Sequence, residues 1–150
     1  MTNSDFMAVA LKQAQKAFLK DEVPVGAVIV DLQTNKIIAK AYNQTEHGLD
    51  PTKHAEMSAI QKACQKRHSK RLWNCAMFVT LEPCAMCAAA ISFARIEKLF
   101  IGALDTKGGA IFNGVHFFEN ETCHFKPEVE SGIMAQEASE LLKTFFIHKR

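Results

Sequence analysis

Residues 73 to 103, WNCAMFVTLEPCAMCAAAISFARIEKLFIGA, constrain the fold of this chain more than any other stretch. Residues 73–81 form an apolar run of strand length, and KLFIGA at 98–103 forms another. Between them an alanine-rich helix opens with Pro83, where a missing N–H removes no hydrogen bond. Strand, helix and strand in this order favour parallel pairing through a right-handed crossover, since antiparallel neighbours need only a short turn. The chain is therefore expected to be α/β.

The flanking sequence extends this pattern. Ser4, followed by Asp5, supplies an N-cap for a first helix, with Phe6, Val9, Ala10, Ala14, Ala17 and Phe18 at helical spacing up to about residue 20. EVPVGAVIVD (22–31) and KIIAKAYN (36–43) are β-branched runs around the polar LQTN, which predicts a hairpin. Gly26 inside the first run marks either a bulge or a close backbone approach. After the glycine and proline of EHGLDPT, a second helix is predicted from about residue 54 to 66. A last helix is predicted over about 130–148, with Ile133, Ala138, Leu141, Leu142 and Phe145 on one face. Residues 104–128, with their glycines and aromatics, match neither period, and long segments of that kind are often functional. The expected architecture is a mixed sheet with helices on both faces.

At 150 residues the chain fits one domain, 1–150, and its 48% hydrophobic and 23% charged content excludes disordered and fibrous classes. No stretch has the eighteen uncharged apolar residues of a membrane span, and no export signal is expected at the N-terminus. Five cysteines, an odd number, then imply free thiols and a cytoplasmic protein rather than a disulfide framework. A net charge of +2 permits an anionic partner without demanding one. The run KACQKRHSKR (62–71) holds five lysines and arginines, which suits either RNA phosphates or a solvated helix end.

The candidate chemistry lies at two helix openings. Cys84 and Cys87 fall in the first turn of one helix, where the dipole favours the thiolate that zinc binds. His54 opens another. If parallel neighbouring strands feed these helices, their N-termini lie side by side at the carboxyl edge of the sheet. A bare C-x-x-C also suits a redox pair, but the His-Ala-Glu upstream favours metal. Three ligands leave a coordination place for water, as in catalytic zinc, unless Cys64, Cys75, Cys123 or another histidine supplies a fourth. Glu56, two residues from His54, is then placed to take a proton from the attacking water and return it to a leaving amine.

H-A-E at 54–56 and P-C-A-M-C at 83–87 form the zinc deaminase signature. With EVPVGAVIV, AYN, DPTKHAEM, TLEPCAMCAAAI, ARI and the terminal FF, the chain resembles the bacterial tRNA adenosine deaminases of the cytidine deaminase-like superfamily. The resemblance implies a three-layer α/β/α sandwich around a mixed five-stranded sheet, assembled as a homodimer. It implies one zinc ion per subunit on His54, Cys84 and Cys87, with Glu56 shuttling protons. Asn43 and Ala55 would contact the flipped base, Asp105 the neighbouring nucleotide, and Phe145 or Phe146 the tRNA anticodon loop. The implied reaction converts adenosine to inosine at the wobble position and releases ammonia. The same chemistry on free guanine or cytosine, or a non-catalytic zinc or RNA-binding subunit, is the alternative.

Overall fold

In chain order the elements are α1 (Asn3–Leu19), β1 (Gly26–Asp31), β2 (Lys36–Tyr42), α2 (Ala55–Arg67), β3 (Cys75–Leu81), α3 (Ala85–Ala94) and β4 (Lys98–Ala103). A short 3-10 turn (Phe117–Glu119), β5 (Glu128–Ser131) and α4 (Ala135–His148) complete the computed structural model, which describes residues 1–149. The sheet order is β2-β1-β3-β4-β5. β1 is antiparallel to both β2 and β3, whereas β3, β4 and β5 run parallel. The strand–helix–strand expectation for residues 73–103 holds.

Side-chain alternation sorts the sheet into two faces. Val28, Val30, Ala76 and Phe78 pack with Phe6, Met7 and Ala10 of α1. Ala27, Ile29, Met77 and Val79 face the other way, onto Ala59 and Ala63 of α2 and Ala88 and Ile91 of α3. Ala138 of α4 meets Leu11 and Ala103 on the α1 side, which completes three layers. Phe78 stacks on Phe100 at 4.5 Å and tilts against Phe6 at 5.3 Å. Each such ring pair adds about 0.5–1.5 kcal/mol beyond its area burial.

The structure differs from the sequence expectations in four places. The cap of α1 is Thr2, not Ser4: its hydroxyl accepts from the Asp5 N–H, and its own N–H donates to the Asp5 carboxylate, at 3.2 and 2.8 Å. Pro83 lies one residue before the α3 cap rather than inside the first turn. Residues 128–131 form edge strand β5, so α4 starts only at Ala135; exposed Glu128, Glu130 and Ser131 gave that strand no apolar signal. Finally, β2 and β3 are parallel to each other but not neighbours, because β1 lies between them. Both being antiparallel to β1, they still end at the same sheet edge, and α2 reaches across to touch α3. Among the described residues no helix is long and apolar enough to cross a membrane.

Candidate metal centre and substrate pocket

Two short loops deliver the side chains to this edge. Before α2, the Asp50 carboxylate accepts from the Thr52 N–H and hydroxyl at 2.8 and 2.7 Å, and the Gln44 N–H reaches the Lys53 carbonyl at 3.1 Å. The resulting turn leaves His54 as N-cap residue with extended backbone and no side-chain cap bond, so its ring projects forward. Cys84 caps α3 in the same way. Cys87, three residues on, shares its face.

His54 Nδ1 lies 3.6 Å from Cys84 Sγ and 3.5 Å from Cys87 Sγ, and all three ligand atoms fall within 4.8 Å of one another. A tetrahedral ion with bonds of about 2.3 Å to sulfur and about 2.0–2.1 Å to nitrogen would separate those atoms by about 3.5 Å. The donor set therefore fits zinc in chemistry and in spacing. No other cluster of three or more potential ligands occurs among the described residues. Burial raises the Cys75 thiol to about 11, the mark of an inert packed cysteine. Cys123 is buried with its thiol donating to the Phe125 carbonyl at 3.2 Å, beside Ser92 near the far end of α3. Cys64 sits in the last turns of α2. None closes the coordination sphere.

Protons are shared unequally within the triad. The hydrogen bond from Cys87 pulls the Cys84 thiol down to about 4 against the effect of burial, with further help from His54. The same bond, with burial, pushes Cys87 up, and hydrogen bonding to Cys84 raises His54. A divalent cation thus displaces protons that the triad otherwise shares. Glu56, 3% exposed in the first turn of α2, stands outside the ligand set, and burial pushes its carboxyl up to about 7.

A cavity of about 310 Å³ opens onto this centre, lined by Val23, Val25, Asn43, Thr45, Ala55, Leu81, Glu82, Asp105 and Gly108 besides His54, Glu56 and Cys84. Asn43 is 7% exposed; its amide donates to the Val23 carbonyl at 3.3 Å, while its Oδ1 is buried without a partner. An orphaned buried acceptor in a cavity wall calls for a ligand donor. The structure separates the two terminal aromatics. Phe145 is 6% exposed, edge-on to Phe18 at 5.8 Å, so it belongs to the core. Phe146, 47% exposed, lines an adjoining cleft with Asp105, Lys107 and Lys143. Sequence reasoning also missed Glu82, which is 2% exposed at the junction of β3 and α3. Its signal was an acidic residue straight after a strand that is apolar except for Thr80.

Such a centre on such a sheet defines a zinc-dependent deaminase. Residues 1–103 match the model for the cytidine and deoxycytidylate deaminase zinc-binding region, and the chain belongs to that family; its metal site is a zinc site. It is 51% identical over 140 residues to the tRNA-specific adenosine deaminase of Rickettsia bellii, spanning 93% of this chain and 97% of that one. The tRNA-specific adenosine deaminase of Agrobacterium fabrum is 49% identical over 145 residues, 97% of this chain and 94% of its own. A structure solved in a study of A-to-I editing by tRNA:A34 deaminases at the wobble position of transfer RNA matches with a TM-score of 0.91 at 48% identity. It covers 93% of this chain, which in turn covers 100% of that one.

Proposed function

We propose that this chain is a hydrolytic deaminase that converts adenosine to inosine at the wobble position of tRNA, releasing ammonia. The observation that carries the chemistry is Glu56, buried beside a three-ligand centre yet outside its ligand set. The end-to-end similarity to relatives named tRNA-specific adenosine deaminase supports the substrate.

Zinc, when bound by His54, Cys84 and Cys87, supplies water activation near neutral pH. Glu56 takes one proton of the attacking water and delivers it to N1 of the adenine ring; it then takes the second proton, from the hydroxyl now on C6, and gives it to the amine, which leaves as ammonia while the C6 carbonyl forms. Asn43 offers its unpaired Oδ1 to a donor on the base edge. Ala55, the first residue of α2, carries an N–H without a helical partner, available to the same base. Asp105 and Phe146 flank the neighbouring nucleotides. A base must leave its stack to enter the cavity, which a single-stranded loop permits at least cost. The protein is a single deaminase domain that acts in the cytoplasm as a homodimer, for which exposed Trp73 and Phe93 supply apolar surface.

Ammonia release from a tRNA anticodon stem–loop, set against free guanine, cytosine and nucleosides, tests this reading. Turnover of the stem–loop with inert free bases is expected. Turnover of a free base with an inert stem–loop would overturn it.

A further inference from the structure

Glu82 is buried, carries a charge, and has no lysine, arginine or histidine within ion-pair distance among the described residues. Five N–H groups replace a counter-ion. Its Oε1 accepts from the Asp105 N–H at 2.9 Å and from the Asn113 side-chain amide at 2.7 Å. Its Oε2 accepts from the backbone N–H groups of Ile111, Phe112 and Asn113 at 3.0, 2.9 and 3.1 Å. The backbone of Glu82 is itself tied to the end of β4, donating to the Ala103 carbonyl at 2.9 Å. Residues 105–113 thus wrap one anion that is anchored to the sheet.

The wrapping decides what faces substrate. The same segment contributes Asp105 and Gly108 to the cavity wall and Lys107 to the cleft beside Phe146. Next to them, Gly109 must lack a side chain, since a Cβ there would lie 2.6 Å from the Glu82 carboxylate oxygen. Neither oxygen of Glu82 is among the zinc ligands. We propose that Glu82 is a positioning residue for substrate recognition: its carboxylate, by gathering the amides of 105–113, holds Asp105 and Gly108 where the nucleotides around the target base must pass. The inference rests on the tRNA reading of the site.

Glu82→Gln is close in size but keeps only one oxygen, so either three backbone donors or the Asp105 N–H and Asn113 amide lose their acceptor. Uniform binding energy is lost while the chemistry is spared, so KM for the anticodon stem–loop is expected to rise at least about tenfold with kcat within about threefold. Zinc content per chain is expected to be unchanged. Gly109→Ala, which pushes the segment off an intact carboxylate, is expected to give the same split and serves if Glu82→Gln does not fold. An unaltered KM accompanied only by a lower Tm would reduce Glu82 to a structural residue and overturn the proposal, as would loss of zinc with collapse of kcat. Wild-type protein inert on the stem–loop would remove the substrate reading and this inference together, whereas wild-type turnover with an unchanged variant KM removes the role of Glu82 alone.

Discussion

A carboxylate acts according to what surrounds it, and three buried glutamates here illustrate the range. In the proposed reaction Glu56 carries protons, so Glu56→Gln should keep its zinc and lose turnover by about 10²–10⁴-fold, measured as metal content and ammonia release. His54→Ala should lose both, because two thiolates alone hold the ion poorly. Glu22, 1% exposed, accepts from the Glu46 and His47 N–H groups at 3.0 and 2.8 Å and from the His47 ring at 2.7 Å. Burial alone would raise its carboxyl, but these bonds outweigh it and hold the group below the ordinary glutamate value. A depressed native value means that the stabilisation is full above the ordinary glutamate range and is lost as pH falls through the native one. Thermal unfolding between about pH 3 and pH 7 should show a steeper acid-side loss in the wild type than in Glu22→Gln. The role proposed for Glu56 could be read from its place two residues after a ligand. Those of Glu22 and Glu82 could not, since their donors lie 23 to 31 residues away and are mostly backbone N–H groups.

Among the elements, helices and buried strands were legible to within a few residues because their apolar periodicity is strong. Edge strand β5 was not: its side chains are mostly solvent-exposed, and it exists because β4 offers it a free parallel edge. Gly26 had two readings, and the structure selects close approach; the irregularity in β1 falls instead between Ile29 and Val30. A Cβ at Gly26 would collide with backbone atoms of Ala10 and Ala14 in α1. Gly26→Ala should therefore cost about 1–3 kcal/mol or more in urea unfolding, by forcing α1 off the sheet. A stability equal to wild type would mean that α1 does not press on Gly26.

At the level of the whole molecule, zinc on His54, Cys84 and Cys87 would join α2 and α3 at their N-termini, and at the sheet edge beneath them β1 runs opposite to both its neighbours, β2 and β3. Zinc binds only the folded arrangement of His54, Cys84 and Cys87, so it should raise the global stability by mass action, by about 2.7 kcal/mol at a hundredfold excess over Kd. Removing it with a chelator should lower Tm, and adding zinc back should restore it. Cobalt substitution should give sulfur-to-metal charge-transfer absorption with tetrahedral character. Absence of those bands would exclude the thiolate ligands.

The sequence by itself determined the α/β class, the strand–helix–strand unit and the three metal ligands with a glutamate two positions from one of them, because helical period, strand period and ligand spacing are all encoded over a few neighbouring positions. Tertiary structure decided that β1 separates β2 from β3, that Cys123 is packed far from the metal, that Phe146 rather than Phe145 meets the cleft, and that residues 105–113 fold around Glu82. Each of these depends on contacts between segments far apart in the chain. Such contacts are set by how buried polar groups find partners and how apolar faces close on one another, neither of which leaves a local pattern.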